Sequence, residues 1–209
     1  MVKTHLDSKN LKYAGQTVRQ TLNKLTKEQK IFDAGRGWYS TIREAFMLDS
    51  QPVESIVKEL KNEFPLLDYS CWSTEQIKSF FHHLQTGFVT FIYSDFDSLP
   101  TIYSKLRQSY PDIYLNPVQE EVYKNFEIKE NTLVLRPCIS ESPVKNGYAT
   151  IEKILIDLFL EKDRLVIIDG AEYDRIFINV IGNTRINIAR LLRYGKRREI
   201  RTQILGRIY

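Results

Sequence analysis

The chain has 209 residues, of which 43% are hydrophobic and 27% charged, and its formal net charge is +4. These values are typical of a globular protein, and the lack of an apolar run of about 18 residues argues against a transmembrane helix. Cys71 and Cys138 are too few for a disulfide framework, and neither belongs to a CxxC pair. Because the first residues also lack the apolar segment of a signal peptide, we expect a cytoplasmic protein.

The charge is distributed unevenly along the chain. Residues 1–44 carry nine Lys or Arg and four Asp or Glu, and residues 183–209 carry eight Lys or Arg and one Glu. The two ends are thus +5 and +7, which leaves −8 for residues 45–182. Dense positive charge favours phosphate binding, although a solvated charged surface gives the same pattern.

An amphipathic helix is predicted near the N-terminus, because Val18, Leu22 and Leu25 recur at helical spacing. Amide side chains can contact adenine and lysine can contact guanine or phosphate, so the opposite face is typical of a DNA recognition helix. An ordinary amphipathic surface helix is the alternative. The candidate DNA-binding residues of this face are Gln16, Thr17, Arg19, Gln20, Asn23, Lys24 and Lys27.

A hairpin is predicted directly after this helix. Residues 30–32 and 37–40 read as two short strands, and Gly35 and Gly37 permit the backbone angles of a tight turn. Arg36 would then lie at the exposed tip, where it could meet phosphates. Helix and hairpin together predict a winged helix-turn-helix head over residues 1–48. Its second helix is predicted at residues 8–14, and its first helix is short or missing.

The rest of the chain predicts a helical link over residues 49–65 and a larger body over residues 66–209. Strands and helices alternate in the body, which indicates an α+β or α/β fold that ends in helices. Predicted strands lie at residues 87–93, 112–115, 132–136 and 165–168. Predicted helices lie at residues 73–85, 99–108, 117–124 and 151–159, and from about residue 171 onward.

A second basic surface is predicted near the C-terminus, because four arginines would form one stripe on a continuous helix. It could face phosphates, dock an acidic partner, or pair with the acidic middle of the chain. Gly195 lies within the stripe and could bend or end the helix. The candidate residues are Arg190, Arg193, Tyr194, Lys196, Arg197, Arg198 and Arg201.

Four segments together resemble the AbiEi-type antitoxins. They are GRGWY at residues 35–39, CWST at 71–74, ATIEKILIDLF at 149–159 and INIARLLRYGKRR at 186–198. The resemblance implies a type IV-like toxin–antitoxin pair of the abortive-infection, phage-defence class. Its antitoxin has a winged-helix head that binds operator DNA and represses its own operon. The implied partner is an AbiEii-like nucleotidyltransferase toxin. An antitoxin that acts through protein contacts alone is the alternative.

Enzyme motifs are incomplete. Asp95 and Asp97 resemble the metal-binding S-D-x-D of nucleotidyltransferases, but the Gly-Ser that should precede them is missing. A nuclease could use Glu127 and Lys129 with an upstream acid such as Asp95 or Asp112, yet such triplets occur by chance. The histidines show no zinc-ligand spacing. We therefore expect a non-enzyme without cofactor or metal, and a metal-dependent nuclease or nucleotidyltransferase is the weaker alternative.

Overall fold

The computed structural model describes residues 15–82 and 87–208, so the predicted second helix of the head at residues 8–14 lies outside the described residues. Its helices are α1 Gly15–Lys27, α2 Gln51–Glu63, α3 Leu99–Leu106, α4 Gln119–Asn125, α5 Ile151–Leu165, α6 Gly170–Asn183, α7 Ile188–Arg197 and α8 Arg201–Ile208. Its strands are β1 Phe32–Asp33, β2 Tyr39–Ser40, β3 Tyr69–Ser73, β4 Val89–Ser94, β5 Ile113–Leu115, β6 Thr132–Pro137, β7 Val144–Lys145 and β8 Tyr148–Ala149. The predicted mixed α+β fold ending in helices is confirmed.

Six strands form one mixed sheet in the order β5-β6-β4-β3-β8-β7. β4, β6 and β5 run parallel, whereas β3 runs antiparallel to β4. Parallel neighbours need crossover connections, and α3 and α4 provide them along the path from β4 through β5 to β6. The carboxyl ends of β4, β5 and β6 therefore lie at one edge of the sheet, beside the amino end of β3.

Helices cover both faces of this sheet. On one face, Leu60 of α2 and Ile102 of α3 are fully buried in a cluster with Ile92 of β4. On the other face, α5 to α8 surround Trp72 and Phe91, whose rings stack with centroids 4.4 Å apart. Burial on both faces explains why β4 is apolar almost throughout. None of the described helices is both long and apolar enough to cross a membrane.

Helix α5 is the most deeply packed helix of the second face, as its apolar pattern predicts. It ends at Leu165, and Val166 takes a left-handed conformation with φ of +55°. The predicted strand at residues 165–168 is therefore wrong. Leu165 and Ile168 are buried as an apolar run suggests, but they belong to a helix end and the bend that follows it.

A capping box opens the helix that is predicted at residues 73–85. The Ser73 amide donates to Gln76 Oε1 at 2.9 Å, and Ser73 Oγ accepts from the Glu75 amide at 3.2 Å. The element it opens is shorter than predicted, a 3₁₀ helix over Thr74–Phe80. Ile77 has non-helical backbone angles, which interrupts the helix within two turns.

The structure also contains strands that the sequence analysis does not predict. β3 lies near the start of the predicted body, and β7 and β8 form a hairpin between the predicted strand at residues 132–136 and the predicted helix at residues 151–159. Asn146 and Gly147 close that hairpin with φ of +54° and +84°. Asn-Gly is the favoured pair for such a two-residue turn.

Candidate nucleic-acid interface

The predicted amphipathic character of α1 is confirmed by burial. Val18, Leu22 and Leu25 are half-buried, which places them on one face of the helix. All seven candidate DNA-binding side chains of α1 are exposed, namely Gln16, Thr17, Arg19, Gln20, Asn23, Lys24 and Lys27. The helix thus presents amide and cationic groups to solvent along its whole length.

Several cations of this region lack a carboxylate partner. Lys24 lies 3.9 Å from Glu28, and Lys30 pairs with the same carboxylate at 2.9 Å. Within the described residues, Arg19, Lys27 and Arg36 form no ion pair. A cation without a carboxylate partner can bind a phosphate without first breaking an ion pair.

The predicted hairpin is present with strands of two residues each. Phe32 pairs with Ser40 and Asp33 with Tyr39. The turn is closed by the Trp38 amide, which donates to the Gly35 carbonyl at 2.8 Å. Gly35 and Gly37 have φ of +100° and +81°, a region that glycine enters without steric strain. Arg36 lies between them and is exposed, as predicted.

The hairpin is docked on the start of α7. Gly35 lies so close to Asn187 and Ala189 that a Cβ at this position would overlap Asn187 Oδ1. Arg185 donates through Nη1 to the Asp33 carbonyl at 2.8 Å, and its guanidinium carbon lies 5.7 Å from the Phe32 ring centroid. Two basic regions that are distant in sequence therefore adjoin in the structure.

The second basic surface differs from its prediction in two ways. α7 continues through Gly195 and ends at Arg197, and Glu199 has φ of +61°, so no continuous helix carries the arginine stripe to Arg201. Tyr194 is also only 1% exposed, so it does not lie on the surface.

Gly195 is buried, and a Cβ there would lie 3.2 Å from Ile156 Cδ1, so close packing of α5 and α7 requires a small residue.

Tyr194 and Arg198 instead point into the protein. Tyr194 donates to Asp157 Oδ1 at 2.9 Å and accepts from Lys153 Nζ at 3.1 Å. The Arg198 side chain is 9% exposed, and its Nε lies 3.9 Å from the same carboxylate. Burial lowers the pKa of the Lys153 ammonium, whereas the adjacent Asp157 opposes this shift. The predicted role of Tyr194 and Arg198 as surface contacts is therefore wrong.

Five residues of the second basic surface remain exposed: Arg190, Arg193, Lys196, Arg197 and Arg201. Two of them pair with acidic side chains, Arg190 with Glu152 at 3.6 Å and Arg197 with Glu141. This is the pairing with the acidic middle of the chain that the sequence left open. The other three form no ion pair with any described residue.

The incomplete enzyme motifs lie in two separate parts of the body, with Asp95 and Asp97 after β4 and Asp112 and Lys129 before β5 and β6. Asp95 and Asp97 flank a 3₁₀ turn, and neither caps a helix through its side chain. Asp95 Oδ1 accepts a hydrogen bond from the Cys138 thiol at 3.4 Å. Lys129 pairs with Asp112 at 2.7 Å and lies 3.9 Å from Glu127, so the structure brings together these three residues of the possible nuclease triplet. In the described part of the chain, no three His, Cys, Asp or Glu side chains are grouped to hold a metal.

Comparison with known proteins identifies the family of the chain. No curated protein matches this chain. One family model matches residues 17–208, which covers most of α1, the hairpin and the body through α8. The chain therefore belongs to the family described as a family of unknown function, DUF6577.

Proposed function

We propose that this chain is an antitoxin of the AbiEi type that also binds operator DNA and represses its own operon. Its partner would be an AbiEii-like nucleotidyltransferase toxin. The DNA-binding part rests on the exposed face of α1 and on the hairpin tip. The antitoxin part rests on the sequence resemblance and on the second basic surface.

One observation carries the DNA-binding proposal. Arg19, Lys27 and Arg36 are exposed, and no described carboxylate lies within 4.0 Å of them. Cations that displace counterions from phosphates supply nearly all of the free energy of non-specific DNA binding and a large share in specific complexes. Gln20 and Asn23, on the same exposed face, supply the amides that read base edges.

A DNA-binding titration of the full chain tests this proposal. The probe is the duplex upstream of its own gene, and anisotropy is followed over a range of salt concentrations. We expect Arg36→Ala to weaken binding and to lower the salt slope by about 1, the effect of losing one phosphate contact. Gln20→Ala should instead reduce the preference for the operator over unrelated DNA, by about 1–3 kcal/mol.

Lys61→Ala is the matched control, because Lys61 is an exposed lysine on α2 and forms no ion pair within the described residues. It removes one positive charge from the body and should leave both affinity and salt slope unchanged. Wild-type protein that shows no salt-sensitive binding would overturn the autorepressor proposal. An equal loss with Lys61→Ala would show that net charge alone drives binding.

The antitoxin activity is tested separately, by growth of cells that co-express the chain and the nucleotidyltransferase encoded beside it. We expect the chain to restore growth, and Arg36→Ala to restore it equally well, because the tip of the hairpin serves DNA. Charge reversal at Arg193 and Arg201, both exposed, should weaken the rescue if the second basic surface meets the toxin. Rescue together with a lack of DNA binding would identify an antitoxin that acts through protein contacts alone.

A further inference from the structure

A cavity of about 420 Å³ opens at the carboxyl ends of the parallel strands. Asp95 follows β4, Cys138 follows β6, and the Cys138 amide donates to the Ser94 carbonyl at 2.8 Å, which holds the two strand ends together. β3 runs the opposite way and brings Ser70 to the same edge. Ligands of open α/β sheets commonly bind at this position.

Two buried hydroxyl groups at this cavity have no partner. Ser70 and Tyr93 are 2% and 1% exposed, they are cross-strand neighbours, and both line the cavity. Neither Ser70 Oγ nor the Tyr93 hydroxyl forms a hydrogen bond within the described structure. More than about 90% of buried polar groups are hydrogen-bonded, so this pair indicates a site for a ligand that carries hydroxyl groups.

A second cavity, of about 520 Å³, adjoins the first along residues 141–144. Lys145, Arg190 and Arg193 line it. Lys145 and Arg193 form no ion pair with a described residue, and Arg190 has a single carboxylate neighbour at 3.6 Å. Three cations around one cavity favour an anionic group, and arginine matches the geometry of phosphate oxygens.

The charges of the two cavities are segregated. Asp68 and Asp95 line the first cavity, which has no basic lining residue, whereas three cations line the second. Glu141 lines both cavities and already pairs with Arg197. Carboxylates accept hydrogen bonds from sugar hydroxyl groups and repel phosphate. A ligand that fits both cavities therefore has hydroxyl groups at one end and negative charge at the other.

We propose that the two cavities together bind a small phosphate ester of a sugar, such as a nucleotide. The sugar would occupy the first cavity, against Ser70, Tyr93 and Asp95, and the phosphate would occupy the second, against Arg190 and Arg193. Each cavity lies within the usual range of about 300–1,000 Å³ for ligand sites. Inorganic phosphate or a free amino acid would leave most of this volume unfilled.

Calorimetric titration of the full chain with four probes tests this proposal. The probes are adenosine monophosphate, ribose 5-phosphate, adenosine and inorganic phosphate. We expect at least one of the two phosphate esters to bind, and adenosine and inorganic phosphate to bind at least tenfold more weakly. Binding of both esters identifies the sugar phosphate as the recognised unit, whereas binding of adenosine monophosphate alone identifies a nucleotide.

Variants assign the binding to these cavities. Tyr93→Phe removes a hydroxyl that has no protein partner, and Arg193→Gln changes an exposed side chain, so both should fold normally. Each should weaken binding at least fivefold, whereas Lys61→Gln and Arg36→Ala should have no effect. The proposal is overturned if neither ester binds, if inorganic phosphate binds equally well, or if Tyr93→Phe and Arg193→Gln both bind as the wild type does. Failure of DNA binding would not affect any of these results.

Discussion

Lys153 and Asp157 form an ion pair inside the protein, with Nζ 2.6 Å from Oδ2 and side chains only 1% and 0% exposed. They lie one turn apart on α5, and the ammonium also lies 3.7 Å from the centroid of the Tyr93 ring. Removing a charge from water is unfavourable, so each charge of a buried pair is stable in the folded protein only while the opposite charge is present. This dependence leads to two predictions.

Asp157→Asn should destabilise the fold by about 3–5 kcal/mol, because it leaves the Lys153 ammonium buried without a counter-charge. Arg198, 3.9 Å from the same carboxylate, would lose its partner as well. Urea unfolding of the wild type and the variant measures the difference. The double variant Lys153→Met, Asp157→Leu removes both charges. Its loss of stability should be smaller than the summed losses of the single variants Lys153→Met and Asp157→Leu. An additive loss would show that the pair is not coupled.

The same pair predicts a dependence of stability on pH. Burial lowers the pKa of Lys153 from its ordinary value of 10.5. Between the folded and unfolded pKa values, the unfolded state binds more protons, so the free energy of unfolding rises with pH in this window. The wild type should therefore gain stability relative to Lys153→Met as the pH approaches 10.5 from below. A constant difference between the two proteins would contradict a lowered pKa.

Gly35 and Gly37 should respond differently to alanine, although both have positive φ angles. A Cβ at Gly37 meets no atom within 4 Å, so Gly37→Ala carries only the backbone strain of about 1–2 kcal/mol. A Cβ at Gly35 would also displace Asn187, whose side chain accepts from the Arg190 amide at 2.9 Å and caps α7. We expect Gly35→Ala to lower the melting temperature more, and equal effects would show that the hairpin does not depend on this contact.

Val166→Gly should stabilise the protein by up to about 1 kcal/mol. Val166 ends α5 in a left-handed conformation that β-branched residues rarely adopt, and glycine is favoured there. Its side chain is 58% exposed, so little packing is lost. Thermal unfolding measures the gain. Val166→Ala is the control, since it shortens the side chain but keeps a Cβ in the left-handed conformation. It should therefore stabilise the protein less than Val166→Gly.

Local patterns predicted those parts of the fold in which one segment determines its own conformation. The spacing of Val18, Leu22 and Leu25 predicted α1, and the apolar run of β4 predicted a buried strand. The Asn146–Gly147 pair is an equally local signal for the β7–β8 hairpin, although no strand is predicted on either side of it. The predicted strand at residues 165–168 is wrong because a short apolar run indicates burial and does not distinguish a strand from a helix end.

The interior of the candidate sites depended on contacts that no single segment reveals. Lys153 and Asp157 have the spacing of an ordinary surface pair, and their burial follows from α7 and β4 packing over them. Tyr194 read as a surface residue because arginines surround it in sequence. The unpartnered hydroxyls of Ser70 and Tyr93 became recognisable only through the pairing of β3 with β4.

Arg185 has a consequence for how the chain folds during synthesis. Its amide donates to the Glu44 carbonyl at 2.7 Å and its side chain holds the Asp33 carbonyl, across 152 residues of sequence. A nascent chain emerges from its N-terminus, so the hairpin stays undocked until the ribosome has made Arg185 and the start of α7. Contacts of such long sequence separation slow folding. A chain translated only as far as α6 consequently cannot present the docked hairpin.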